Sequence, residues 1–159
     1  MGASEYFNHI RVCSARIADV ARTLSALEQC EGDMSTWRTR GSGGGHGVGT
    51  TSDPTACMAE ARLGDLPERI ASARREYETL ADEIAGCADV LETVGREVSA
   101  DSADALELWA LDLAGTWSEV ADEMGVSRRE VCRLRDQAFA WLNHHMIFAN
   151  HSCPRFRVD

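Results

Sequence analysis

Six cysteines, five histidines and sixteen basic residues, all of them arginine, are the side chains of this 159-residue sequence whose types could do chemistry. The cysteines stand at 13, 30, 57, 87, 132 and 153 with no Cys-x-x-Cys pair among them, which removes zinc ribbons and thioredoxin-type redox centres. The N-terminus, Met1-Gly-Ala-Ser-Glu-Tyr6, has no basic stretch and no apolar run of a secretory signal, so reduced, buried thiols in a cytoplasmic protein are expected rather than disulfides. His144-His145 and His151-x-Cys153 could supply metal ligands, but adjacent histidines point to different sides of a helix and no carboxylate shares the tail. No metal and no cofactor is expected. The absence of lysine removes a phosphate-loop lysine, a Schiff-base lysine and a lysine general base. No Gly-x-Ser-x-Gly nucleophile occurs either, and an enzyme is not expected.

The arginines are more informative, because they are unevenly placed. The whole chain carries −10, yet Ser127 to Asp159 holds six arginines against three acids. That stretch is therefore +3 and the preceding residues −13. Overall acidity argues against a non-specific nucleic-acid coat, which needs a basic surface to displace counterions. It leaves room for a local reading head: Ser127, Arg128, Arg129 and Arg133 fall on one outward face at the start of a helix. A guanidinium there can grip guanine O6 and N7 or clamp a phosphate. Glu130 with Arg133 is also a plain surface ion pair at i,i+3.

The elements that position these residues are marked by caps. Thr116-Trp-Ser-Glu119 and Ser127-Arg-Arg-Glu130 are two capping boxes eleven residues apart, with Gly125 between them. Two short helices joined by a tight turn describe a helix-turn-helix. The pattern asks for a small residue at the crossing, Ala121, and a turn residue tolerant of positive φ, Gly125. It also asks for inward apolar residues, and Val120, Met124, Val126, Val131 and Leu134 occupy those places. Upstream, Leu106, Trp109, Ala110 and Leu113 form one face of a preceding helix, stopped by Ala114-Gly115.

Two longer helices come first. Tyr6, Ile10, Cys13, Ile17, Val20, Leu24 and Leu27 alternate steps of 4 and 3, which predicts a helix over residues 4–29. Leu66, Ile70, Ala73, Tyr77, Leu80, Ile84, Cys87, Leu91, Val94 and Val98 do the same over 66–98, with Asp65 as N-cap and Pro67 in the first turn. A narrow apolar stripe cannot stay in water. Folding the two antiparallel as a hairpin is the simplest cover, and a homodimer along the longer stripe is the competing one. Between them, residues 31–52 include six glycines in the nine residues from Gly41 to Gly49, a connector lacking the strand and lysine of a phosphate cradle. Trp37, Arg38 and Arg40 precede it as candidates for a backbone or partner contact. Asp53 is expected to cap a short helix through Arg62. At 44% apolar and 26% charged, with no apolar run near the roughly 18 residues that span a bilayer, the expectation is an all-α protein. Its parts are a helical hairpin over 1–98 and a helix-turn-helix domain over 99–159.

Asp53-Pro-Thr-Ala56 after a glycine-rich loop, a long helix, then Leu113-Ala-Gly-Thr-Trp-Ser-Glu-Val-Ala121 with Gly125-Val-Ser127, resembles phage late-gene transcriptional activators of the RinA/ArpU kind. Their C-terminal domain is similar to region 4 of bacterial sigma factors. The resemblance is best over Ser102 to Leu142. It implies a sequence-specific regulator that binds double-stranded DNA and contacts RNA polymerase. Ser127, Arg128, Arg129 and Arg133 would touch bases and phosphates, and Thr116 and Trp117 would seat the first helix on the backbone. A reading from another class is an acidic phage-encoded module, of the anti-CRISPR type, that binds a host nucleic-acid machine.

Overall fold

The computed structural model describes residues 2–40, 64–147 and 155–156, with side chains for 2–32 and 64–146. The chain is all-α. Its elements are α1 (Ala3–Arg40), α2 (Leu66–Glu97), α3 (Ala100–Ala110), α4 (Trp117–Met124) and α5 (Arg128–His145), followed by a two-residue antiparallel ladder. In that ladder Met146 of β1 (Met146–Ile147) faces Phe156 of β2 (Arg155–Phe156). The glycine-rich connector over 41–49 and the short helix expected from Asp53 lie outside the described residues. Among those described, no helix is long and apolar enough to cross a membrane.

The chain divides into two compact units, residues 1–18 with 79–159, and residues 19–78. Within the larger unit Phe7, Ile10, Val90, Leu91 and Val94 share one buried cluster with Leu106, Ala138 and Leu142. The first turns of α1 and the last turns of α2 are thus continuous with the core of α3 and α5. Asn143 of α5 also accepts the Ala3 N–H at 2.8 Å, satisfying one of the unpaired donors at the start of α1.

Within this larger unit the expected stripes are buried at Tyr6, Ile10, Cys13, Leu80, Cys87, Leu91 and Val94. Phe7 is fully buried too, off the stripe, because it faces Phe139 of α5 with ring centroids 5.8 Å apart. In the smaller unit Val20, Leu66 and Ile70 are buried while Tyr77, on the expected stripe, is exposed. Arg74 of α2 pairs there with Glu28 of α1 at 2.6 Å. In each unit, then, a stretch of α1 lies alongside a stretch of α2.

Helix boundaries follow local chemistry. α1 runs to Arg40 rather than ending near residue 29, since it holds no proline and Gly32 is its only glycine, at a cost of about 1 kcal/mol, while the glycine run begins only at Gly41. Asp65 precedes α2, its carbonyl accepting the Arg69 N–H at 2.9 Å. Ser99 caps α3, its hydroxyl oxygen accepting the Ser102 N–H. The fully buried Ser102 hydroxyl accepts from Ser99 Oγ at 2.8 Å and donates to the Leu134 carbonyl at 3.3 Å, tying α3 to α5. α3 stops at Ala110, not after Leu113 as expected. Arg11 donates to the carbonyls of Trp109 (3.2 Å) and Ala114 (2.6 Å), and Leu113 is exposed with φ 60°.

Candidate nucleic-acid interface

α4 begins where Thr116, extended at φ −141°, turns its side-chain oxygen onto the Glu119 N–H at 3.3 Å. The Glu119 carboxylate returns to the Gly115 N–H at 2.6 Å. A Cβ on Gly115 would stand 2.8 Å from that carboxylate, so a side chain there would push the Glu119 carboxylate aside. At the other end Gly125 adopts φ 66°, its N–H reaching Asp122 and the Val126 N–H reaching the Ala121 carbonyl at 3.0 Å. This is the left-handed cap that closes a helix sharply. Ser127 then caps α5 by accepting the Glu130 N–H at 3.2 Å.

The two helices close on a small apolar cluster of Ala105, Val120, Ala121 and Val131, with Ala121 only 3% exposed. Leu134 is buried and Met124 partly so. Val126 departs from the expectation: it is 38% exposed, because the residue after the left-handed glycine projects out of the turn. Trp117 is half-buried, stacked on Trp109 at 4.8 Å between centroids, with Arg135 over its ring at 5.2 Å. Its ring is therefore a packing surface among α3, α4 and α5, and the Thr116 oxygen is engaged as a cap.

The expected contact residues fall into two groups. Ser127, Arg128 and Arg129 are exposed at the start of α5, and neither arginine has a hydrogen-bond or ion-pair partner among the described residues. Arg133, one turn on, is held by both carboxylate oxygens of Glu130 and donates to Gln137 at 3.0 Å. The same guanidinium keeps the Glu130 carboxyl below its ordinary range. Arg135 is paired with Asp136 at 2.7 Å. Arg38 and Arg40 ride on the last turn of α1, with their side chains outside the described residues.

Another part of this head, formed by α3 and α4, is acidic. Asp101, Asp104, Glu107, Asp112 and Glu123 line a groove with Leu108 and Met124. At the end of α5, His145 stacks on Trp141 at 4.5 Å and hydrogen-bonds its carbonyl at 2.9 Å. His151 and Cys153 lie outside the described residues.

The chain matches no family model, no curated protein and no solved structure. One constellation was not anticipated from the sequence: His9, Cys13 and Glu83 bring one ligand atom each within 4.8 Å of one another. The spacing of four between His9 and Cys13, one helical turn, is the signal that could have pointed to it.

Proposed function

We propose that the chain is a phage-type DNA-binding transcriptional regulator that reads the major groove with the first turns of α5. One observation carries this reading: Arg128 and Arg129 are exposed in the first turn of α5, with no hydrogen-bond or ion-pair partner among the described residues. A cation beside the positive end of a helix macrodipole is unfavourable by about 0.3–1 kcal/mol each. An anionic groove offsets that cost, and Ser127 leaves its hydroxyl hydrogen free to meet a phosphate. The caps, the turn at Gly125 and the small Ala121 at the crossing support a helix-turn-helix. α4 carries Glu119, Asp122 and Glu123 and no base, so it opposes phosphate. Specific contact then rests on Ser127, Arg128 and Arg129, with Arg133 in reserve, and not on Thr116 or Trp117. By resemblance, the partner beyond DNA is RNA polymerase.

The acidic groove over α3 and α4 favours a second reading, capture of a basic protein surface from a host nucleic-acid machine. Selection from random duplexes at near-physiological salt separates the two. The DNA reading expects one enriched motif, lost in Arg128→Ala/Arg129→Ala, and affinity falling log-linearly with salt. Should the wild type enrich no motif, the DNA reading is wrong and the acidic groove becomes the working surface.

A further inference from the structure

We propose that His9, Cys13 and Glu83 form a binding site for one zinc-class divalent cation that ties the first turns of α1 to α2. His9 and Cys13 stand one turn apart on the same face of α1, and Glu83 reaches them from α2. Glu83 Oε2 is 2.9 Å from His9 Nε2 and 2.9 Å from Cys13 Sγ, and the sulfur is 3.4 Å from the same ring nitrogen. All three donors therefore converge on one point.

That convergence distinguishes a cation site from a nucleophile relay. A relay places the imidazole between thiol and acid and uses its two nitrogens separately. Here thiol and carboxylate both meet Nε2. Tetrahedral zinc, with bonds of about 2.0–2.3 Å, holds its ligand atoms roughly 3.3–3.6 Å apart. The triangle reaches that size by opening a few tenths of an ångström, within the play of three side chains. Cys13 is buried at 3% exposure, whereas His9 and Glu83 keep 28% and 21% of their side-chain surface. The sulfur is thus shielded while a water can complete the fourth position.

The donor set selects the ion. Calcium and magnesium take oxygen ligands, while a mixed nitrogen, sulfur and oxygen set suits zinc or its cobalt surrogate. Without the cation the Cys13 thiol keeps its proton and donates it to the Glu83 carboxylate at 2.9 Å. The cation displaces that proton, so the S–H bond breaks, a metal–thiolate bond forms and one proton leaves to solvent.

The test uses the full chain, stripped with chelator and titrated with Co²⁺ and then Zn²⁺. One equivalent of Co²⁺ should give tetrahedral visible bands with a thiolate charge-transfer band, and Zn²⁺ should bleach both. Cys13→Ala should remove the charge-transfer band, and Glu83→Gln should weaken binding by at least about tenfold. Replacing Cys30, Cys57, Cys132 and Cys153 by Ser and Cys87 by Ala together should leave the spectrum intact, which assigns the thiolate to Cys13 even if Cys13→Ala fails to fold. A spectrum no different from aqueous Co²⁺, or one that survives Cys13→Ala or disappears when the other five cysteines are replaced, overturns the site. The three side chains are then only a hydrogen-bonded cluster.

Discussion

The ring of Trp117 lies against that of Trp109 with centroids 4.8 Å apart and planes 18° from parallel, while the Arg135 guanidinium sits 5.2 Å over the same Trp117 ring. The indole joins three helices: it opens α4, rests on α3 and is covered from α5. Both buried clusters of the larger unit have Trp117 and Trp109 packed at their margins. Trp117→Ala should therefore cost about 2–4 kcal/mol, below the usual range for a fully buried tryptophan because the ring is only half-buried. Trp117→Phe should lose much less. Denaturant midpoints of the two variants check this, and equal midpoints would show that the stack carries no stability.

The turn after α3 gives a stabilising change. Leu113 holds φ 60° with its side chain exposed, a conformation that costs a β-carbon residue about 1–2 kcal/mol. Leu113→Gly removes that strain, and part of the gain is offset by the greater freedom of glycine in the unfolded chain. A net rise of up to about 1 kcal/mol is expected. Gly125→Ala should do the reverse, destabilising by about 1 kcal/mol through backbone strain alone, since a Cβ there meets open space. Thermal melts of the pair should move in opposite directions.

How far the sequence was legible can be traced through these residues. Periodicity of 3.5 found the faces of α1 and α2 that are buried at Ile10, Cys13, Leu91 and Val94, because a single partner leaves a single stripe. It missed Phe7 and Val90, where α3 and α5 add further neighbours and widen the stripe. The caps at Thr116 and Ser127 were readable because capping is local chemistry. Leu113 was misread because the turn after α3 is set by a distant group, Arg11 from α1, and Val126 because the residue after the left-handed Gly125 projects out of its turn. The His9 and Cys13 two thirds of the cation site are written in one helical turn. Its Glu83 third is not, because it depends on which residues of two helices come level.

Alkaline pH should loosen the larger unit. Burial first of all pushes the Cys87 thiol up to about 12, with Glu107 adding to it and the Tyr6 hydrogen bond opposing. Cys13 is likewise pushed up to about 12 by burial, then by Glu83, with Arg16 pulling the other way. In the unfolded chain both ionise near 9.0. A folded value above the unfolded one means that the stabilisation is fully present below pH 9 and is lost as pH climbs toward 12. With chelator present, melting temperature should hold to about pH 8–9 and then fall, less steeply in Cys87→Ala. Alkylation should follow the same order, the exposed Cys30 reacting before Cys132 and both well before Cys13 and Cys87. Uniform labelling rates at pH 8 would contradict the burial of these two thiols.

Arg133 gives the sharpest probe of the DNA reading, because its guanidinium is held by a carboxylate on its own helix. Exposed pairs of this kind contribute at most about 1 kcal/mol, so Glu130→Gln should leave folding almost unchanged. Its effect on binding should be large by comparison. The change deletes a negative charge close to the groove and releases Arg133 to point outward beside Arg128 and Arg129. Affinity for the selected duplex should rise several-fold at fixed salt, and the slope of log K against log salt should steepen by about one phosphate contact. Reverting the gain with Arg133→Ala in the same background identifies the freed guanidinium as its source. If Glu130→Gln instead weakens binding at one base pair and leaves the salt slope alone, Glu130 itself reads a cytosine amine and Arg133 only supports it. If neither slope nor affinity moves, α5 does not lie against DNA through this turn.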